Sequence, residues 1–224
     1  MLTIVMSTYN RDHLLRLTLP RLRKYTDAKV ILIDDGVVGT GPELAAQYDC
    51  KYVLTENTAW RSPVTSHNLG AGMVTTPYMA LMCAEIYLVN DCITPMLFNV
   101  KHFSCMAIPT GRHGGGANLN ALQDGRPVPY KGSVLNTYLP FFMMFRTADY
   151  VGYSEEFAHG HGWDDDDFVL RMNIPYGLTY GRCIHLKHAK GHSVRKNLRS
   201  NTRVFKRQKY NGLYSKKSIE NGAF

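Results

Sequence analysis

Thr3-Ile4-Val5-Met6-Ser7-Thr8-Tyr9-Asn10-Arg11 stands at the head of the chain and sets its architecture. Leu2 to Met6 is apolar, partly β-branched and closed by a polar turn, the pattern of a short buried strand. Asn10 or Thr8 is placed to cap a helix carrying Leu14, Leu15, Leu17, Leu19 and Leu22, which Pro20 is expected to kink or shorten. Val30-Ile31-Leu32-Ile33 repeats the strand pattern and ends at Asp34-Asp35-Gly36. A polar helix near Pro42 to Tyr48, a strand at Lys51 to Leu54, a helix at Ser66 to Val74 and a strand at Tyr78 to Met82 follow. Strands alternating with helices in units of about 25 residues predict a parallel sheet with crossover helices. Such sheets bind ligands beyond the C-terminal strand ends. Polar groups gather there: Ser7 and Tyr9, Asp34 and Asp35, and Glu85.

The second half changes character. Gly111 to Gly132 is rich in Gly, Asn, Pro and Arg and is too long for a simple turn, which makes it a candidate lid or acceptor loop. Tyr138 to Phe145 reads as another strand. It leads to Gly160-His161-Gly162-Trp163-Asp164-Asp165-Asp166-Asp167-Phe168-Val169-Leu170-Arg171. Four consecutive carboxylates repel one another and raise each other's pKa. One reading is local. Phe168 and Met172 lie four apart, as do Asp167 and Arg171, so a helix starts near Asp164 and its first-turn aspartates satisfy free N–H groups and the helix dipole. The other is chemical. A carboxylate of raised pKa beside a glycine- and tryptophan-lined opening suits a general base or a metal ligand.

The chain has 224 residues, enough for one sizeable domain, and its 45% apolar and 11% aromatic content is that of a globular protein. The N-terminus lacks a basic leader, and no apolar run approaches the roughly 18 residues of a membrane span. Five scattered cysteines without a C-x-x-C pair favour reduced thiols and a cytoplasmic location. The net charge of +8 is uneven: Lys187 to Lys217 holds 11 of the 26 basic residues, and no acidic residue occurs from Phe168 to Ile219. A basic end of this kind suits a polyanionic partner, or is simply a solvated tail. Gly-x-Gly-x-x-Gly and P-loop patterns are absent, against dinucleotide or ATP binding of the usual kinds.

These pieces occur in an order that resembles the family-two glycosyltransferases of the GT-A fold. The opening strand through Arg11 is similar to theirs. Ile31-Leu32-Ile33-Asp34-Asp35-Gly36 resembles their second strand with its acidic end, and Trp60-Arg61-Ser62 to Asn68-Leu69-Gly70 resembles the segment before their metal-binding strand. Gly160-His161-Gly162-Trp163-Asp164-Asp165-Asp166-Asp167 resembles the Gly-Trp-x-Glu/Asp-Asp motif, and Ile184-His185-Leu186-Lys187-His188 the late His-x-x-His segment. The resemblance implies an α/β GT-A domain over residues 1–192, with a nucleotide-sugar half at 1–90, an acceptor and catalytic half at 91–192, and a basic extension at 193–224.

It also implies a nucleotide-sugar donor, a UDP-sugar, with Ser7, Tyr9, Asp34 and Asp35 around base and ribose. Arg61 would contact base or phosphates, and Asn68 would belong to the same donor site. Asp34-Asp35-Gly36 also makes sense as a turn alone, and Asn68 as a structural residue. Where the family places Asp-x-Asp, this chain has Cys83-Ala84-Glu85. A divalent cation, Mn2+ or Mg2+, would then rest on Glu85 with His185 or His188, manganese tolerating mixed O/N ligation better. The alternative is that the basic C-terminal segment takes over part of the metal's task. Lone histidines are more often structural than ligating.

Asp165, with Asp164 beside it, would be the base in an inverting displacement. The acceptor would be a glycan or, given the basic end, a hydroxymethylated DNA base of the kind some phage glycosyltransferases modify, in a host cytoplasm. A base in duplex would have to flip out, while Arg195, Lys196 and Arg199 grip phosphates beside Trp163. The competing reading is a catalytically inactive, basic nucleic-acid-binding module of the same fold.

Overall fold

The structure, a computed structural model, describes residues 1–37, 39–55, 57, 62–113, 141–159, 162–186, 188 and 201–207. Its strands are β1 (Leu2–Thr8), β2 (Lys29–Asp34), β3 (Cys50–Leu54), β4 (Tyr78–Cys83), β5 (Ile86–Leu88), β6 (Met106–His113), β7 (Phe142–Arg146) and β8 (Tyr176–His185). Its helices are α1 (Asp12–Arg23), α2 (Gly41–Gln47), α3 (Val64–Ala71), α4 (Ile93–His102) and α5 (Asp164–Met172). A further helical segment of about two turns occupies 201–207.

All eight strands join one sheet in the order β3-β2-β1-β4-β7-β6-β8-β5. The N-terminal half is parallel throughout: β1 pairs with β2 and β4, and β2 with β3. Beyond β4 the sheet becomes mixed. β7 runs antiparallel to β4 and β6, β6 is parallel to β8, and β5 closes the edge antiparallel to β8. This is the α/β architecture expected from the alternation of strands and helices.

β1, β2 and β4 are buried on both faces, so they read as continuous apolar runs. Ile4, Met6, Leu32, Ala80, Met82 and Met144 face one side, where Leu15, Leu19 and Leu22 of α1, Leu44 of α2 and Met96 and Val100 of α4 complete a core cluster. Val5, Ile31, Ile33, Leu81, Met143 and Phe145 face the other, against α3, α5 and Phe205. Successive residues of one strand therefore belong to different cores, as the two-residue period requires.

Two local expectations are corrected. Neither Thr8 nor Asn10 caps α1; its N-cap residue is Arg11, without a side-chain cap. Asn10 instead adopts φ +52 and its Oδ1 accepts a hydrogen bond from the Val37 N–H at 3.1 Å, tying the turn after β1 to the turn after β2. Pro20 does not shorten α1, which runs on to Arg23 because Leu19 and Leu22 on either side are fully buried. The glycine-rich stretch enters the structure only through the end of β6, and 114–140 lies outside the described residues. No helix among the described residues is long and apolar enough to cross a membrane.

Candidate active site

The chain leaves β1 for β2 on one side and later returns to β4 on the other. At such a reversal of direction, strand ends and the loops leaving them open a crevice. Here the crevice is a cavity of about 300 Å3. Ser7, Tyr9 and Arg11 reach it from the end of β1, Asp35 from the end of β2, and Cys83 and Glu85 from the end of β4. Trp163, Asp164, Asp165 and Asp166 enter from the head of α5, and His185 and His188 from the end of β8. Residues between 7 and 188 in sequence thus share one opening.

Each wall has a local cause. A Cβ on Gly70 would meet Val5 Cγ1 at 2.3 Å, so only glycine lets α3 lie this close to β1. That approach brings buried His67 to Ser7, whose Oγ lies 3.0 Å from His67 Nε2. Burial lowers the His67 pKa to about 4, which keeps the ring neutral. At the other wall, Gly162 and Trp163 take positive φ of 73° and 68°. A tryptophan in the left-handed region is strained. It is held by stacking on Phe205 at 4.8 Å and by donating from Nε1 to Thr202 Oγ1 at 2.9 Å. Residues 201–207 of the basic C-terminal stretch therefore buttress Trp163.

The N-cap residue of α5 is Trp163, which forms no side-chain cap, and the four aspartates fill the first turn. The sharp left-handed entry sends them to separate partners. Ser62 donates to Asp164. Tyr153 donates from its hydroxyl to Asp165 Oδ1 at 2.9 Å. Asp167 accepts from Arg171 at 2.8 Å, four residues on, as the spacing predicted. Burial pushes the Asp165 carboxyl well above the usual range; the Asp164 and Asp166 carboxylates push the same way, and the Tyr153 hydrogen bond opposes them. Burial, then Asp164, raises Asp166 to about 6. Such a group is a stronger base than a surface aspartate.

The remaining predicted donor-site residues divide. Asp35 lines the cavity and accepts from Thr55, and from Asn57 Nδ2 at 3.4 Å. Asp34 lies beneath it, 1% exposed, accepting from Tyr52 Oη at 2.8 Å and from the Gly36 N–H at 3.1 Å. Asn68 is not among the cavity's lining residues. Its Oδ1 accepts from Tyr150 Oη at 2.6 Å and the Tyr153 N–H at 2.7 Å, and its Nδ2 donates to the Tyr153 carbonyl at 3.0 Å and to Glu155 at 2.7 Å. Arg61, Arg195, Lys196 and Arg199 lie outside the described residues.

The expected metal ligands form a different contact. Arg11 donates from Nε to Glu85 Oε1 at 3.2 Å, and its NH2 lies 3.0 Å from His188 Nδ1. A guanidinium only donates, so Nδ1 is the acceptor and the ring proton sits on Nε2, 3.8 Å from Glu85 Oε1. The Glu85 oxygen and the His188 lone pair that a cation would use both face Arg11. His185 packs against Phe141 with the rings tilted by 51° and their centres 4.7 Å apart. Among the described residues no group of three or more His, Cys, Asp or Glu is arranged to hold a metal ion. A hard divalent ion takes oxygen ligands, and the described carboxylate at the tip of β4 already pairs with Arg11.

Sequence reasoning did not single out Arg11, Ser62 or Tyr153 for roles. Arg11 and Ser62 lay inside quoted motifs and were legible there. Tyr153 carried no signal, since its partner is reached only through the fold.

No family model matches the chain. A stretch of 90 residues is 33% identical to validoxylamine A glucosyltransferase of Streptomyces hygroscopicus subsp. limoneus, covering 37% of this chain and 20% of that protein. Among solved structures, S. aureus TarS 1–349 in complex with UDP-GlcNAc superposes with a TM-score of 0.63 at 16% identity, over 85% of this chain and 60% of that one. The same protein in complex with UDP gives 0.61 at 15% identity, over 83% and 60%. The chain spans a fifth of the curated relative and under two thirds of the TarS chains. With its parallel β3-β2-β1-β4 half, its mixed second half and its cavity at the β1 and β4 tips, the chain shares the fold of the GT-A glycosyltransferases that its sequence resembles.

Proposed function

We propose that this chain is an inverting glycosyltransferase that moves a sugar from a UDP-sugar to an acceptor hydroxyl. The observation that carries the reading is that Asp165, a carboxylate of raised pKa, opens into the same cavity as Ser7, Tyr9 and Asp35. Solved structures of similar fold hold UDP-GlcNAc and UDP, and the partial relative is a glucosyltransferase.

In this reading Tyr9 stacks on the uracil, and Asp35 accepts from its N3–H or from the ribose. Asp34 fixes the turn that presents Asp35. Trp163 forms one wall for the sugar or the acceptor. Asp165 takes the proton of the acceptor hydroxyl as that oxygen bonds to the anomeric carbon. The bond from the anomeric carbon to the diphosphate oxygen breaks, and its electron pair leaves on UDP. One displacement inverts the anomeric centre. The acceptor is a glycan, or a hydroxymethylated base in DNA. For the second, exposed Arg203, Lys206 and Arg207 stand on the segment that supports Trp163. An inactive binding module is disfavoured because three buried or half-buried carboxylates with separate partners serve no phosphate-binding surface.

Release of UDP from a panel of UDP-sugars tests the reading. Turnover that rises with a glycan or hydroxymethylated DNA acceptor supports it. Neither binding nor hydrolysis of any UDP-sugar defeats it.

A further inference from the structure

Among the described residues the lining of the cavity is acidic for a diphosphate site. Its described lining includes five carboxylates, those of Asp35, Glu85, Asp164, Asp165 and Asp166, and one guanidinium, that of Arg11. A departing UDP gains negative charge as its bond to the sugar breaks, and that charge must be met by a cation. In the expected arrangement a metal on the tip of β4 does this. Here Arg11 occupies the contact between Glu85 and His188.

We infer that the Arg11 guanidinium is the built-in cation of this site and binds the donor's diphosphate in place of a divalent metal. Three observations support this. Arg11 lies at the first residue before α1, so the positive end of a 12-residue helix reinforces its charge. The arginine side chain is only 13% exposed, so its field acts through protein rather than water. It is held on both sides, by Glu85 and by His188 Nδ1, which fixes the planar fork before any ligand arrives. Glu85 is then the positioning carboxylate for the arginine and not a metal ligand. Its retention where Asp-x-Asp is lost follows, because its oxygen is already engaged by the guanidinium.

The step balances without a metal. Asp165 receives the acceptor proton, the acceptor oxygen bonds to the anomeric carbon, and the bond from that carbon to the β-phosphate oxygen breaks. The pair stays on the phosphate, where Arg11 donates hydrogen bonds to it.

The inference rests on the UDP-sugar reading, and calorimetric titration of the full chain separates the two. UDP and uridine are titrated into the wild-type protein in EDTA and again in manganese. Equal UDP affinity in both, within about twofold, is expected. Arg11→Gln should weaken UDP at least about tenfold, the scale of a lost charge-assisted contact, and leave uridine affinity unchanged, which also reports an intact fold. Arg11→Lys should recover part of the loss. Glu85→Gln should weaken UDP several-fold in EDTA as well as in manganese, because the guanidinium loses the carboxylate that places it, whereas loss of a metal ligand at that position would show only in manganese. UDP binding that requires manganese overturns the inference and leaves the UDP-sugar reading standing. Absence of UDP binding in both buffers overturns the reading and the inference with it. Should Arg11→Gln fail to fold, the wild-type comparison in EDTA still decides.

Discussion

Tyr153 and Asp165 are joined by a 2.9 Å hydrogen bond, and Tyr153 is itself clamped against Phe168 with the rings stacked at 4.3 Å and 6°. The phenol donates to the ionised carboxylate and so opposes the burial that raises the Asp165 pKa. Removing the hydroxyl removes the opposition. Tyr153→Phe keeps the stack and should raise the Asp165 pKa further. A base must be deprotonated to act, so the acid limb of kcat/KM should move to higher pH, with turnover low at neutrality and recovering in alkali. An unmoved limb would mean that Tyr153 has no hold on the base.

Asp165→Asn should lower turnover at least about a hundredfold, the scale of general-base catalysis, with UDP affinity retained in a direct titration. Asp164→Asn should act in the other direction on pH. The Asp164 charge is the second-largest cause of the raised Asp165 pKa. Its removal lets Asp165 ionise at lower pH, so the acid limb should shift down. Near-normal turnover in Asp165→Asn would eliminate it as the base.

How much of this was readable beforehand follows from the range of the interactions. β1, β2 and β4 were plain because each is a short apolar run ended by polar residues, and burial on both faces imposes that pattern locally. The start of α5 was plain from the four-residue spacing of Asp167 and Arg171. The use of its aspartates was not. The run offered two uses, first-turn capping and a base of raised pKa; left-handed Trp163 turns Asp164 and Asp165 toward Ser62 and Tyr153, and no one-dimensional pattern encodes that turn. β8 went unread as a strand because Gly177, Gly181 and Arg182 interrupt its apolar character; its pairing with β6 and β5 supplies what its sequence lacks. The Arg11–Glu85 pair spans 74 residues, and only the β1–β4 register brings its partners together.

Asn68 shows how a residue outside the cavity can govern it. Its amide makes four hydrogen bonds to the 150–155 segment, two of them to the backbone of Tyr153. Asn68→Ala should therefore cost about 2–3 kcal/mol of stability, through lost bonds and polar groups left unpaired. It should also lower kcat while UDP affinity holds, because Tyr153 loses its placement against Asp165. Thermal melts and a kcat against Kd comparison check both. A donor-binding role for Asn68 would instead appear as weakened UDP affinity.

Asp166 lets the electrostatic strain of the site be measured as stability. Its pKa is raised from 3.8 to about 6, first by burial and then by Asp164. A carboxyl that binds its proton more tightly when folded contributes stability that is complete below the unfolded pKa and lost as pH rises through the folded one. At pH 7 the folded chain therefore carries a charge that the unfolded chain bears more easily. Asp166→Asn removes that charge and should stabilise the protein at neutral pH. A gain of about 1 kcal/mol would raise the melting midpoint by about 2–4 °C in a chain of this size. Lowering the pH from 6 toward 3.8 should shrink the difference between variant and wild type, since the wild-type group is then protonated in the fold. A variant that melts below wild type at pH 7 would mean that the carboxylate is held by favourable partners instead of being strained.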